Sequence, residues 1–231
     1  MTDDLVALAV KHGTDKWGRH WYARHYQTHF APRRAEPLAV LEIGVGGYED
    51  TTKGGASLRM WKEYFPQARI FAIDVYDKSG LEEDRIRIFT GSQADPAFLD
   101  RVAAETGPLD IVIDDGSHRN PDVIASFEAL FPRLREGGIY AIEDMQTSYW
   151  PSYGGSTDLA AGHTMMALVK RLADGLNHAE FIRPGYQPTF TDLNVSSLHV
   201  YHNLAFVYRG RNDDESNILR ANVPPAWLPA E

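Results

Sequence analysis

Residues Leu38-Ala39-Val40-Leu41-Glu42-Ile43-Gly44-Val45-Gly46-Gly47 form an apolar run of strand length that ends in glycines. A strand buried on both faces reads as such a run, and glycines at its carboxyl end let backbone approach a nucleotide-like ligand. The pattern repeats downstream. Arg69 to Val75, Arg85 to Thr90, Leu109 to Ile113 and Ile139 to Ile142 read as four more strands. Helical patterns separate them: one from a Ser57 N-cap to Phe65, stopped by Pro66; one behind Asp95-Pro96; one from Asn120-Pro121, stopped by Gly137-Gly138. This alternation over 38–145 predicts an α/β, doubly wound, Rossmann-like and mostly parallel sheet. Ser197 to Tyr201 and Leu204 to Tyr208 are expected to close it as an antiparallel pair. A helix is expected from Asp158 to Leu176 and a strand over Ala179 to Ile182. The aromatic- and His-rich start predicts a helical cap, and 213–231 a loosely ordered tail. The chain is expected to form one domain, with cap 1–35, core 36–210 and tail 211–231.

The 231 residues suffice for such a domain, and 11% aromatic residues can supply its core. A formal charge of −9, with no basic run, argues against nucleic acid and anionic membranes as partners. The absence of cysteine removes disulfides, thiolate nucleophiles and Cys-based zinc sites. No secretory signal is expected, because no apolar stretch follows the acidic Met1-Thr2-Asp3-Asp4, and no run of about 18 apolar residues exists. A cytoplasmic location is expected.

A glycine loop alone serves several cofactors. A dinucleotide fingerprint reads G-x-G-x-x-G, but Glu49 stands in the place of its third glycine. Tyr48 to Gly55 is also too turn-rich to start a helix promptly, and a pyrophosphate needs a helix N-terminus close behind. An NAD-dependent oxidoreductase is therefore disfavoured. Glu42 suits a ligand with an amino-acid moiety, whose ammonium it could meet directly or through water.

Asp115 and the pair Glu143-Asp144 end the fourth and fifth expected strands. Were those two strands adjacent, as the resemblance drawn below implies, they would lie about 4.8 Å apart and these carboxylates would converge and repel. A hard divalent cation relieves that repulsion, and an all-oxygen set favours Mg²⁺; a solvated or Lys/Arg-paired surface cluster is the alternative. His118, three residues beyond Asp115, is placed to deprotonate a hydroxyl as general base. A packing or capping histidine is the other reading.

Glu42-Ile43-Gly44-Val45-Gly46 resembles the first motif of class I S-adenosylmethionine methyltransferases. The resemblance implies that Glu42, Gly44 and Gly46 contact that cofactor, Asp74 its ribose, and Ser92 and Gln93 its adenine; Asp114 is assigned to the same site. His12-Gly13-Thr14-Asp15-Lys16, Gly54-Gly55-Ala56-Ser57-Leu58-Arg59-Met60-Trp61, Asp114-Asp115-Gly116-Ser117-His118 and Ile142-Glu143-Asp144 complete the pattern. Together they resemble the metal-dependent sugar O-methyltransferases of antibiotic biosynthesis, of the mycinamicin type, with rhamnosyl O-methyltransferases as relatives. This implies Mg²⁺ on Asp115, Glu143 and Asp144, His118 as the base, a small-molecule glycoside as acceptor and a homo-oligomer. It also implies a further N-terminal domain in the mycinamicin type, which these residues are not expected to include.

Thr14, with Asp15 and Lys16, is expected to close over the cofactor, or else to cap a helix start. Ser57 is assigned either to the methionine carboxylate or to the N-cap. Tyr149, Trp150 and Tyr153 suit a lid stacking on a glycoside, or an oligomer contact. His25 and His29 have metal-ligand spacing but lack the glutamate of H-E-x-x-H. Two functional alternatives remain open: metal-independent methylation of a phenol or catechol, and a cofactor-binding module without catalysis.

Overall fold

The computed structural model describes residues 4–228, so the outermost parts of the expected cap (1–3) and tail (229–231) lie outside the described residues. Seven strands form one sheet: β1 (Ala39–Ile43), β2 (Arg69–Asp74), β3 (Ile86–Thr90), β4 (Leu109–Asp114), β5 (Leu134–Ile142), β6 (Val195–Tyr201) and β7 (Leu204–Arg209), in the order β3-β2-β1-β4-β5-β7-β6. β1 to β5 pair in parallel, while β7 runs antiparallel to both β5 and β6. The expected α/β architecture with an antiparallel closing pair is the one observed.

Alternation along the strands sends side chains to two cores. On one face Val40, Ile70, Ile111, Ile113, Ile139 and Phe206 meet α1 (Asp4–His12), α2 (Ala23–Phe30) and α3 (Ala56–Tyr64). Tyr26, Phe30, Trp61 and Phe206 pack there with ring centroids 5.0–6.1 Å apart. Such aromatic pairs contribute about 0.5–1.5 kcal/mol each beyond their burial. On the other face Leu41, Ile43, Val112, Tyr140 and Val207 meet α4 (Pro96–Thr106), α5 (Asn120–Leu130) and α6 (Met165–Gly175). The short α7 (Phe190–Asn194) precedes β6. The cap is thus a layer of the core as well as a lid over the sheet edge.

Five local expectations change. Gly55 in the left-handed region, not Ser57, is the N-cap of α3, because the Ser57 hydroxyl is drawn to Glu42. α6 begins at Met165, capped by Thr164, since 158–164 spends its polar groups on turns such as Ala160 N–H to Asp158. Gly137-Gly138 lies inside β5, which starts at Leu134. Residues 178–180 form a 3-10 turn where a strand was expected from Ala179. The tail is anchored, because Leu219 and Ser216 are buried and the Ser216 hydroxyl donates to Glu180 at 2.8 Å. Among the described residues no helix is long and apolar enough to cross a membrane.

Candidate active site

The carboxyl ends of β1, β4 and β5 stop level with one another: Ile43 is the register partner of Asp114, and Asp114 of Ile142. Gly44, Asp115 and Glu143 therefore leave the sheet side by side. Gly44 has φ +98°, and a Cβ there would run into the Asp115 carbonyl. Its lack of a side chain lets two strand ends approach as well as admitting a ligand. A cleft of about 650 Å³ opens over this edge; Thr14, Gly44, Gly46, Ser57, Asp74, Ser92, Gln93, Asp115 and His118 all line it.

Glu42 and Asp114 do not line it. Glu42 points into the cap-side core, fully buried, where Ser57 Oγ at 2.8 Å and Trp61 Nε1 at 3.2 Å donate to its Oε2. Its Oε1 makes no hydrogen bond and faces the Lys16 Nζ at 3.2 Å. The ammonium that Glu42 meets is this chain's own. Burial pushes the Glu42 carboxyl above its usual range, with Lys16 opposing. Asp114 points to the opposite core, where it accepts from Ser126 Oγ at 2.5 Å, Tyr140 OH at 2.9 Å and Gln93 Nε2 at 3.0 Å. Gln93 accepts from the Ser117 N–H at 2.8 Å with its other amide atom, so it ties Asp114 to the 115–118 loop. The Asp74 carboxylate accepts from the N–H groups of Val45 and Tyr76, at 3.0 and 2.9 Å, which fixes it at the cleft.

Asp115, His118 and Asp144 come together. One ligand atom from each lies within 4.8 Å of the others, and all three are half-buried. His118 Nε2 is 3.5 Å from Asp144 Oδ2 and 4.0 Å from Asp115 Oδ1. Both His118 and Asp144 sit in the left-handed region, at φ +54° and +51°. For non-glycine residues this conformation costs of order 1 kcal/mol or more and persists only where the surroundings enforce it. Here the Thr147 hydroxyl donates to the His118 carbonyl at 2.8 Å, and Tyr22 OH donates to Asp144 Oδ1 at 2.7 Å.

Glu143 is the most enclosed of the expected metal ligands. Lys16 Nζ and Tyr26 OH both donate to its Oε1 at 2.6 Å. Burial pushes its carboxyl well above the usual range, and Asp115 adds to this. Repulsion among the carboxylates is thus answered in part by a lysine.

Sequence reasoning had no role for Tyr22, Tyr26 or Lys78, and for Lys16 only a place in the N-terminal motif. Yet Lys16, Tyr22 and Tyr26 make the direct contacts to the acids. The usable signal was the hydroxyl-bearing pair at i, i+4 behind Thr14-Asp15-Lys16. Lys78 is buried and donates to the carbonyls of Asp50 and Lys53 at 2.7 and 3.1 Å, pinning the loop behind the glycines. No helix starts at Thr14 or Asp15; both line the cleft. Tyr153 reaches the cleft, while Tyr149 and Trp150 are exposed, Trp150 with its ring centroid 5.9 Å from that of Tyr153. His29 is not placed to bind metal: its two nitrogens face Tyr208 OH at 2.8 Å and Tyr201 OH at 3.0 Å. His25 stacks on Tyr201.

No protein-family profile matches the chain. It is 48% identical to the mycinamicin VI 2''-O-methyltransferase of Micromonospora griseorubida, over 99% of its own residues and 56% of that protein. It is also 48% identical to the 8-demethyl-8-alpha-L-rhamnosyl tetracenomycin-C 2'-O-methyltransferase of Streptomyces olivaceus, over 94% of its residues and 57% of that protein. The solved structure of the mycinamycin-pathway methyltransferase MycE with Mg, SAH and mycinamycin VI superposes with a TM-score of 0.90 at 47% identity. It covers 99% of this chain and 57% of that one. The chain spans a little over half the length of these relatives. At 48% identity and with the same fold, the chain is thus similar to a little over half of two O-methyltransferases, one acting on mycinamicin VI and one on a rhamnosyl tetracenomycin.

Proposed function

We propose that this chain is a methyltransferase domain, with cap 1–35, core 36–210 and tail 211–231. It transfers a methyl group from S-adenosylmethionine to a hydroxyl of a deoxysugar, rhamnose-like, on a glycosylated natural product. The observation that carries the reading is the grouping of Asp115, His118 and Asp144 beside a cleft lined by Gly44, Gly46, Asp74 and Ser92. The donor set fits a hard divalent cation such as Mg²⁺, which is held by carboxylate oxygens. Asp115 and Asp144 would hold it with Glu143, whose Oε1 is already engaged. A bound cation would supply Lewis acidity that eases loss of the hydroxyl proton. The cleft fits the methyl donor too. Gly44 and Gly46 leave backbone bare, and Asp74, Ser92 and Thr14 present oxygens along it. When bound, the donor supplies an electrophilic sulfonium methyl.

The chain's residues would orient the acceptor and move one proton. His118 Nε2 accepts the proton of the sugar hydroxyl as its oxygen becomes the nucleophile, then returns it to solvent. Asp144 Oδ2, 3.5 Å from Nε2, stabilises the imidazolium that forms. Tyr149, Trp150 and Tyr153 would stack on the glycoside and exclude water. A second reading, favoured by the spacing of the three groups, makes His118 a ligand of the cation.

A methyl-transfer assay on rhamnosylated acceptors, with Mg²⁺ and after EDTA, tests the proposal. Activity that survives full chelation sinks the metal assignment. His118→Ala is expected to lose roughly 10²-fold or more in rate. Unchanged Mn²⁺ affinity in that variant supports the base; lost affinity supports the ligand.

A further inference from the structure

Lys16 is fully buried among carboxylates. Its Nζ lies 2.6 Å from Glu143 Oε1, 2.8 Å from Asp115 Oδ2 and 3.2 Å from Glu42 Oε1. No other Lys or Arg among the described residues pairs with any of these three. Burial alone pulls the ammonium toward neutrality, but Asp115, Glu143 and Glu42 outweigh it and hold the lysine well above its ordinary value. The backbone is fixed as well, because the Lys16 carbonyl accepts the N–H groups of Tyr22 and Ala23 at 3.1 and 3.0 Å, where α2 begins.

The charges do not cancel. One ammonium faces three carboxylates, and Asp144 adds a fourth acid nearby. The cluster keeps an excess of negative charge that would attract a cation. Glu42 is the revealing partner. It does not line the cleft, Asp115 pushes its carboxyl upward from nearby, and its orphaned Oε1 has Lys16 as its ionic partner. A carboxylate buried there tempers the lysine and therefore the field at the site.

We propose that Lys16 is a positioning residue, an internal cation that holds Asp115 and Glu143 together before a divalent ion arrives and sets how tightly that ion is held. This rests on the metal reading above, and two variants of opposite sign separate the two claims. Lys16→Met removes a positive charge beside the ligands, so Mn²⁺ should bind at least about tenfold more tightly. By linkage, its melting temperature should drop in EDTA and recover with saturating Mn²⁺ by more than wild type gains. Glu42→Gln leaves the expected ligands untouched but frees the lysine's charge, so Mn²⁺ should bind about fivefold more weakly.

The experiment is a Mn²⁺ titration of the three proteins, followed by calorimetry and by the spin resonance of free Mn²⁺, without methyl donor or acceptor. Opposite shifts in the two variants support the proposal. Equal or weaker binding by Lys16→Met overturns it. If that variant does not fold, Glu42→Gln decides alone, and unaltered affinity there overturns it. Wild type that binds Mn²⁺ beside unmoved variants removes the lysine's role only; wild type that binds none removes the metal reading with it.

Discussion

Asp114 and Asp115 are neighbours in sequence and leave β4 toward opposite sides. Asp114 is buried and its three partners, Ser126, Tyr140 and Gln93, are neutral donors on one core face. Asp115 is half-buried, and its partner is the cation of Lys16, with His118 in reach. Neutral donors satisfy a carboxylate completely and leave nothing for a ligand. A single ammonium shared among three acids leaves excess negative charge at an open edge. The difference separates a carboxylate that holds the loop from one that can hold a cation.

Substitutions should break the pair in opposite ways. Asp115→Asn is expected to cost at least about 10²-fold in methyl transfer and most of the Mn²⁺ affinity, with little change in melting temperature. Asp114→Ala should do the reverse. It removes the shared acceptor of Ser126, Tyr140 and Gln93 and leaves them the bonds to the Val123 carbonyl at 3.0 Å and to Ser126 Oγ at 3.3 Å, at about 1–3 kcal/mol in urea unfolding. Mn²⁺ affinity should stay near wild type. An Asp114→Ala protein that keeps its stability but loses Mn²⁺ would reverse these roles.

Much of this contrast was out of reach of the sequence. The sheet was legible because β1, β2, β4 and β5 are apolar runs of strand length, and Asp115, His118, Glu143 and Asp144 stand directly at their ends. Which face each strand-end acid takes was not legible, since register and twist at a sheet edge are set by tertiary pairing. Glu42 was therefore expected at the ligand and stands behind it. Lys16 was hidden for another reason: its partners lie far along the chain, and local spacing carries no sign of them. The 178–180 turn shows the same limit, because a short apolar run does not say whether a neighbouring strand exists to pair with it.

A milder and independent effect sharpens the contrast at a third polar cluster. His29 on α2 lies against His25 of its own helix, His199 and Tyr201 of β6, and Tyr208 of β7, with both ring nitrogens facing tyrosine hydroxyls. Burial, then His199 and His25, pull its pKa from 6.5 down to about 4. Because the folded value is depressed, the unfolded chain takes up the proton first as pH falls. Its contribution is complete above pH 6.5 and is lost progressively toward pH 4. Discounted for solvent screening at this edge of the sheet, the loss is on the order of 1–2 kcal/mol. Urea unfolding at pH 7.5 and pH 5, for wild type and His29→Gln, measures it. The variant should be less stable at pH 7.5 and show a shallower fall to pH 5. Identical slopes would mean that this histidine is not held neutral.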